Sequence, residues 1–364
     1  SLLRLSKRRL TNTSMPVVAC RIEAGGYRDI QRLIDAGEYA SVQEFVELAV
    51  RNQLALEGAT ERISYRPAGG ETQPEPRLQV DTPAQDASHR LAAAFALPSA
   101  DRIALPPFVK PTQISERAIW GQINRIVPLK LAARRVAVLA NGSNTWPTVD
   151  SVLLDVGETA ALVGSCLHDA DVASGRKREL LATGVPRVDS PDSKQRFLAQ
   201  TIARVVRSGT THPGAIAAYG IATVTNSGVA LTSTGIEFAM LESPVLDRDP
   251  RTARETLSVE ECRFFLRFVV PHVPVELTDL NLVAGTIDKG AMTPEALHSA
   301  VAATFHARRW TGTMVRTHLS GLVSRLIELM VVVRTWEGRN ASYALGPLAD
   351  ELPRSGKNGE RDAS

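Results

Sequence analysis

Between residues 15 and 57 the apolar positions change period, and the change predicts one short strand followed by two amphipathic helices. Val18, Cys20 and Ile22 alternate with Val17, Ala19, Arg21 and Glu23, the period of two of an extended strand. Gly25 and Gly26 end it. Ile30, Leu33 and Ile34 then recur at helical spacing as far as Gly37, a favoured C-cap residue. The second helix opens at Ser41 with Glu44 three residues on, the spacing of a capping box, and carries Phe45, Val46, Leu48, Ala49, Leu54 and Leu56 on its apolar side. A unit of roughly 40 residues is at the lower limit of independent stability, so two copies are expected to pair. With the strands antiparallel, Val18, Cys20 and Ile22 pack inward. The opposite row then faces out as a two-stranded ribbon that fits the DNA major groove.

The strand VACRIEA, the turn AGEY and the capped start SVQEF resemble the ribbon-helix-helix family of repressors and antitoxins, over about the first sixth of the chain. The resemblance implies a homodimer formed through residues 15–57 and bound to double-stranded DNA. It also implies roles. Val17, Ala19 and Arg21 would lie on the groove face, with Arg21 toward a guanine. Ser41, Val42 and Gln43 would lie where backbone N–H groups at the start of the second helix hold a phosphate.

Beyond this unit the pattern predicts a mainly α chain. Residues 1–14 read as a basic extension ahead of Met15, and 58–90, rich in Pro, Gly, Gln and acidic residues, as a flexible linker. Residues 91–245 read as a helical region and 246–350 as a second module, with 351–364 a disordered tail. Residues 113–140 form a long apolar-periodic segment interrupted at Pro128, in which Arg125, Lys130, Arg134 and Arg135 read as a solvated face. Helices are expected at 148–168, in a short stretch entered by the basic turn SGRKRELL (174–181), and at 193–209. A shorter helix and an apolar strand follow in PGAIAAYGIATV. GVALTSTGIEFAML resembles the strand and return helix of winged-helix domains.

The last region repeats that order. A helix capped by Ser258 with Glu261 in capping-box register precedes one opened by Thr293 and Pro294. The helix MVRTHLSGLVSRLIEL then leads straight into a hairpin turning at Glu337 and Gly338, a helix–hairpin order that looks winged-helix-like. On that reading Arg316, Thr317, His318, Ser320 and Arg325 are candidates for a groove-reading helix, with Arg334 and Arg339 on the hairpin. Leu319, Leu322, Val323, Leu326 and Ile327 would hold the opposite face.

Composition narrows the classes only slightly. The chain has 364 residues, 44% of them hydrophobic, with a formal net charge of +3, which permits nucleic-acid binding without requiring it. No apolar run is long enough to span a bilayer, and three well-separated cysteines suggest neither a disulfide framework nor a zinc site, which fits a reducing cytoplasm. No nucleotide, zinc-protease or nucleophile-elbow motif is found. LHDAD places His168, Asp169 and Asp171 together, but at a helix end where capping or solvation explains them; His272, His298, His306 and His318 lack ligand spacing. Glu260 and Glu261 point in different directions, poor geometry for an acid–base pair. No enzyme activity, metal or cofactor is therefore expected. Two functions remain: a DNA-binding regulator, or a non-catalytic assembly factor whose C-terminal region binds a protein.

Overall fold

The computed structural model describes Tyr27, Arg28, Ile30, Gln31, Ile34, Val42, Gln43, Phe45 and Val46, then residues 104–110, 118–119, 121–206, 209–308 and 310–354. The chain divides into two units, 1–79 and 80–364. In the first, Tyr27, Arg28, Ile30, Gln31 and Ile34 are helical, with Ile30 buried and Tyr27 and Arg28 exposed. Val42, Gln43, Phe45 and Val46 are helical too, and Gln43 is exposed. Both runs fall where the helical spacing placed them. The strand at 17–23 with Val17, Ala19 and Arg21, the cap Ser41 and the linker 58–90 lie outside the described residues.

The second unit is mainly helical, with small antiparallel hairpins. Helix α1 (Val127–Ala140) is followed by α2 (Val149–Ala173) and α3 (Pro191–Thr201). Strands β1 (Ala203–Val205) and β2 (Thr211–Pro213) form one hairpin; α4 (Ala215–Ala218) leads to β3 (Ala222–Val224) and β4 (Val229–Leu231), which form another. After α5 (Ser233–Met240) come α6 (Val259–Phe264), continued by a π turn at Phe265–Val269, then α7 (Pro274–Asp288), α8 (Pro294–His306) and α9 (Gly312–Glu328). Strands β5 (Val332–Glu337) and β6 (Asn340–Leu345) close the order as a third hairpin. No helix among the described residues is long and apolar enough to cross a membrane.

Local chemistry explains most boundaries. The Thr148, Thr232, Thr293 and Thr311 hydroxyls accept backbone N–H groups at the starts of α2, α5, α8 and α9, and Ser258 with Glu261 forms the complete capping box of α6. Pro128 does not interrupt a helix. It lies in the first turn of α1, where a missing N–H is harmless, and 121–126 is turn and irregular chain. The helix expected over 193–209 stops at Thr201, because Gly209 at φ 79° turns the chain back and pairs Arg204 with His212. The stretch 174–181 is turn and bend as expected, but the short helix it was to enter does not form, and 181–184 is turn. The expected tail at 351–364 begins as ordered structure: Leu352 is buried, Glu351 pairs with Arg263 and Arg267, and Asn281 donates to the Pro353 carbonyl.

One apolar core runs from Ile119 to Leu352, so the boundary expected at 245/246 does not divide it. Its centre is α1, packed against α2, α3, α4, α5 and β4. A helix enclosed on so many sides has no solvated face. The expectation for Arg125, Lys130, Arg134 and Arg135 is corrected accordingly: all four are buried. What admits Lys130 and Arg134 is the C-terminal end of α5, whose last carbonyls have no helical partner and carry the negative end of the helix dipole. Lys130 Nζ donates to the carbonyls of Phe238 and Leu241, each at 2.6 Å, and meets Glu261 Oε1 at 3.0 Å. Arg134 donates to the Ala239 and Leu241 carbonyls and forks onto both oxygens of Asp247, while Arg135 forks onto Asp155. Burial pulls the Lys130 ammonium down to about 8 against the opposing pull of Glu261, and burial pushes the Glu261 carboxyl up.

Candidate nucleic-acid interface

An open surface cleft is assembled by α9, the β5–β6 hairpin and the turn after α2. Helix α9 sinks Val315, Leu319, Leu322, Val323 and Leu326 into the core and leaves Thr313, Met314, Arg316 and Ser320 exposed, with Thr317 half-buried. Its second half is covered by Gly121 and Ile123. A Cβ on Gly321 would lie 2.3 Å from the Gly121 carbonyl oxygen, and one on Gly121 would lie 2.3 Å from that of Thr317. Only glycine at both positions lets the two backbones cross so closely.

That cover corrects two expected groove residues. His318 lies inside, edge-on to Phe305 and Trp310, with Nε2 at 2.9 Å from Asp279 Oδ2. Asp279 also receives Arg308 at 2.7 Å. Burial alone would raise the Asp279 carboxyl, but the hydrogen bonds from His318 and Arg308 together hold it below its ordinary value. Arg325 is fully buried, its Nε donating to Glu276 Oε1 at 2.7 Å and its Nη1 to the Ile123 carbonyl. Neither side chain reaches solvent, because Glu276 and Asp279 on α7 face them across the α7–α9 contact and compensate them there. Arg316, Arg325, Arg334 and Arg339 therefore do not share one basic face.

A different basic surface forms instead. Asp171, buried at the end of α2, accepts the N–H groups of Leu181 and Ala182 at 3.0 and 3.1 Å and pairs with Arg176 at 3.3 Å. This anchors the turn through 176–184 to the end of α2. Arg178 lies 4.1 Å over the Trp336 ring and donates to the Gly338 carbonyl at 2.7 Å. Gly338, at φ 61°, makes the hairpin turn, and Arg339 beside it is exposed. Between turn and hairpin is an open cleft of about 290 Å³ lined by Arg125, Lys177, Arg178, Glu179, Leu180, Thr183, Ser324, Arg334 and Trp336. Four cations thus surround one carboxylate. Glu179 meets Arg334 Nη1 at 2.8 Å and Arg125 Nη2 at 3.8 Å.

The described residues bring Arg334 into this cleft and keep Arg316, Thr317 and Ser320 on the exposed first half of α9, with Arg339 at the hairpin tip. Val42 and Gln43 fall in the first unit as helical residues. Reading along the sequence missed Lys177, Arg178, Glu179 and Trp336 as members of one site. The basic turn was visible, but its partner strand lies 160 residues away. Asp171 caps backbone N–H groups, and no group of three or more metal-ligating side chains occurs among the described residues. Glu260 is exposed and Glu261 buried, as their adjacency on a helix requires. Comparison of the chain with protein-family models, with curated proteins and with solved structures finds no match to any of them.

Proposed function

We propose that this chain is a double-stranded DNA-binding protein of the regulator type. The N-terminal unit dimerises it and presents the ribbon carrying Val17, Ala19 and Arg21, with Ser41, Val42 and Gln43 at a phosphate. The α7–α8–α9–hairpin order is that of a winged-helix module, in which the third helix enters the major groove by its N-terminal residues and the hairpin touches the neighbouring backbone. The observation that carries the reading is that α9, with Arg316 and Ser320 exposed on its first half, leads directly into the β5–β6 hairpin, which carries Arg334 and Arg339. Lys177, Arg316 and Arg339 have no carboxylate partner among the described residues, so their charge is available to phosphates. The 193–241 stretch is not assigned a groove helix, because α4 there has only four residues and Ala215 and Ile216 are buried.

The test is a duplex-binding titration by fluorescence anisotropy across a range of salt, with the full chain and with Arg316→Ala. Loss of on the order of 1–3 kcal/mol on the preferred sequence, and less on random duplex, marks Arg316 as a base contact. Equal loss on both, with a salt slope smaller by about one, marks it as a phosphate contact. An unchanged titration removes the C-terminal unit from the DNA and leaves a protein as its partner.

A further inference from the structure

We propose that the cleft between the 176–184 turn and the β5–β6 hairpin is a phosphate-binding site in which the carboxylate of Glu179 occupies the anion's place, so that an incoming phosphate must displace it. Three observations converge on this. The first is the donor set. Arg125 and Arg334, with side chains 10% and 20% exposed, aim guanidinium groups at one point from two elements; Lys177, Arg178, Thr183 and Ser324 complete the wall. Convergent guanidinium forks and hydroxyls match the oxygens of a phosphate.

The second is unequal satisfaction. Glu179 has two oxygens for all these donors; Arg334 and Arg125 pair with them, while Lys177 has no carboxylate partner among the described residues. A phosphate, with more oxygens than a carboxylate, can take more of the converging donors. The third is backbone conformation. Glu179 sits at φ 50°, the left-handed region that a side chain other than Gly, Asn or Asp rarely adopts. The turn is held in that conformation from outside, by Asp171 on its following N–H groups and by the close approach of Gly184 to Arg125. The turn's conformation therefore does not depend on the contacts of Glu179 to Arg334 and Arg125, which an anion can replace without refolding the turn.

Trp336, 37% exposed and covered on one face by Arg178, adds an aromatic edge at the mouth. The phosphate can belong to a duplex backbone or to a small molecule. The site rests on the DNA-binding reading only for that choice.

The experiment uses the full chain, wild type and with Glu179→Gln or Lys177→Glu, each checked for an unchanged unfolding midpoint. Two probes are titrated: inorganic pyrophosphate, by calorimetry, and a random-sequence duplex across a salt series. Glu179→Gln removes the competing charge while keeping the side-chain shape. It is expected to tighten pyrophosphate binding about 5- to 10-fold, and Lys177→Glu to weaken it by a similar factor. If the duplex follows, with a salt slope steeper by about one in Glu179→Gln, the phosphate is a backbone phosphodiester. If pyrophosphate responds and the duplex does not, the site stands as one for a small phosphate ester and the DNA-binding reading of this face fails. If neither probe distinguishes Glu179→Gln from wild type, the proposal is overturned, even where wild type binds duplex well.

Discussion

Replacing Lys130 with Met should cost more stability than any surface change in this chain. Lys130 is completely buried, and its ammonium serves two α5 carbonyls and the equally buried Glu261. Methionine keeps most of the volume, so the cavity contribution is small. What remains is a carboxylate without its cation and the Phe238 carbonyl without its donor. Breaking a buried pair by removing one partner costs about 3–5 kcal/mol.

The double variant Lys130→Met/Glu261→Gln should recover a large part of that loss, since glutamine still accepts the Ser258 N–H that Glu261 takes at 2.7 Å. The pH dependence gives an independent check. In the folded chain Lys130 loses its proton at about 8 rather than 10.5, so between these values the unfolded state binds more protons. Stability from this group therefore rises with pH across that window, by about 3 kcal/mol, and the double variant lacks the rise. Urea unfolding followed by tryptophan fluorescence, at pH 7 and at steps up to 10.5, measures both. A Lys130→Met chain within about 1 kcal/mol of wild type at pH 7, or a double variant no more stable than the single, would refute the argument.

Two further outcomes are expected. Gly235→Ala should destabilise by about 1–3 kcal/mol, because its Cβ would meet the Ile221 carbonyl oxygen at 1.9 Å, whereas Gly285→Ala, with nothing within 4 Å, should stabilise by about 0.4–1 kcal/mol; thermal melts of the pair separate crowding from chain entropy. Asp279 contributes stability that is present above the ordinary carboxyl range and is lost as pH falls through its lower folded value. Asp279→Asn should thus cost about 3–5 kcal/mol near pH 7 but little once both states are protonated, and a penalty that persists unchanged in acid would show that the His318–Arg308 cluster is not electrostatic.

The helix starts at Ser258 and Thr293 were legible along the chain, because capping is a local interaction. The β5–β6 hairpin was legible through Gly338 for the same reason. The buried cations were not. Periodicity counts Lys130 and Arg134 as polar and assigns them to solvent, and only the end of α5, more than 100 residues away, makes burial affordable. For His318 and Arg325 a signal existed. With Val315 and Leu322 they follow three- and four-residue steps along α9, which is the buried row, and their compensating acids Glu276 and Asp279 lie one turn apart on α7. The cleft was illegible because its two halves are distant in sequence and its anchor, Asp171, read as a helix end.

The pairing of Arg178 with Trp336 and Gly338 has a consequence for biosynthesis. The turn leaves the ribosome long before the hairpin does, and at roughly 5–20 residues per second the delay is on the order of ten seconds. During that interval the nascent chain carries the basic turn without the surface it helps to form. This face is complete only after synthesis passes β6, so a prematurely terminated product lacks it.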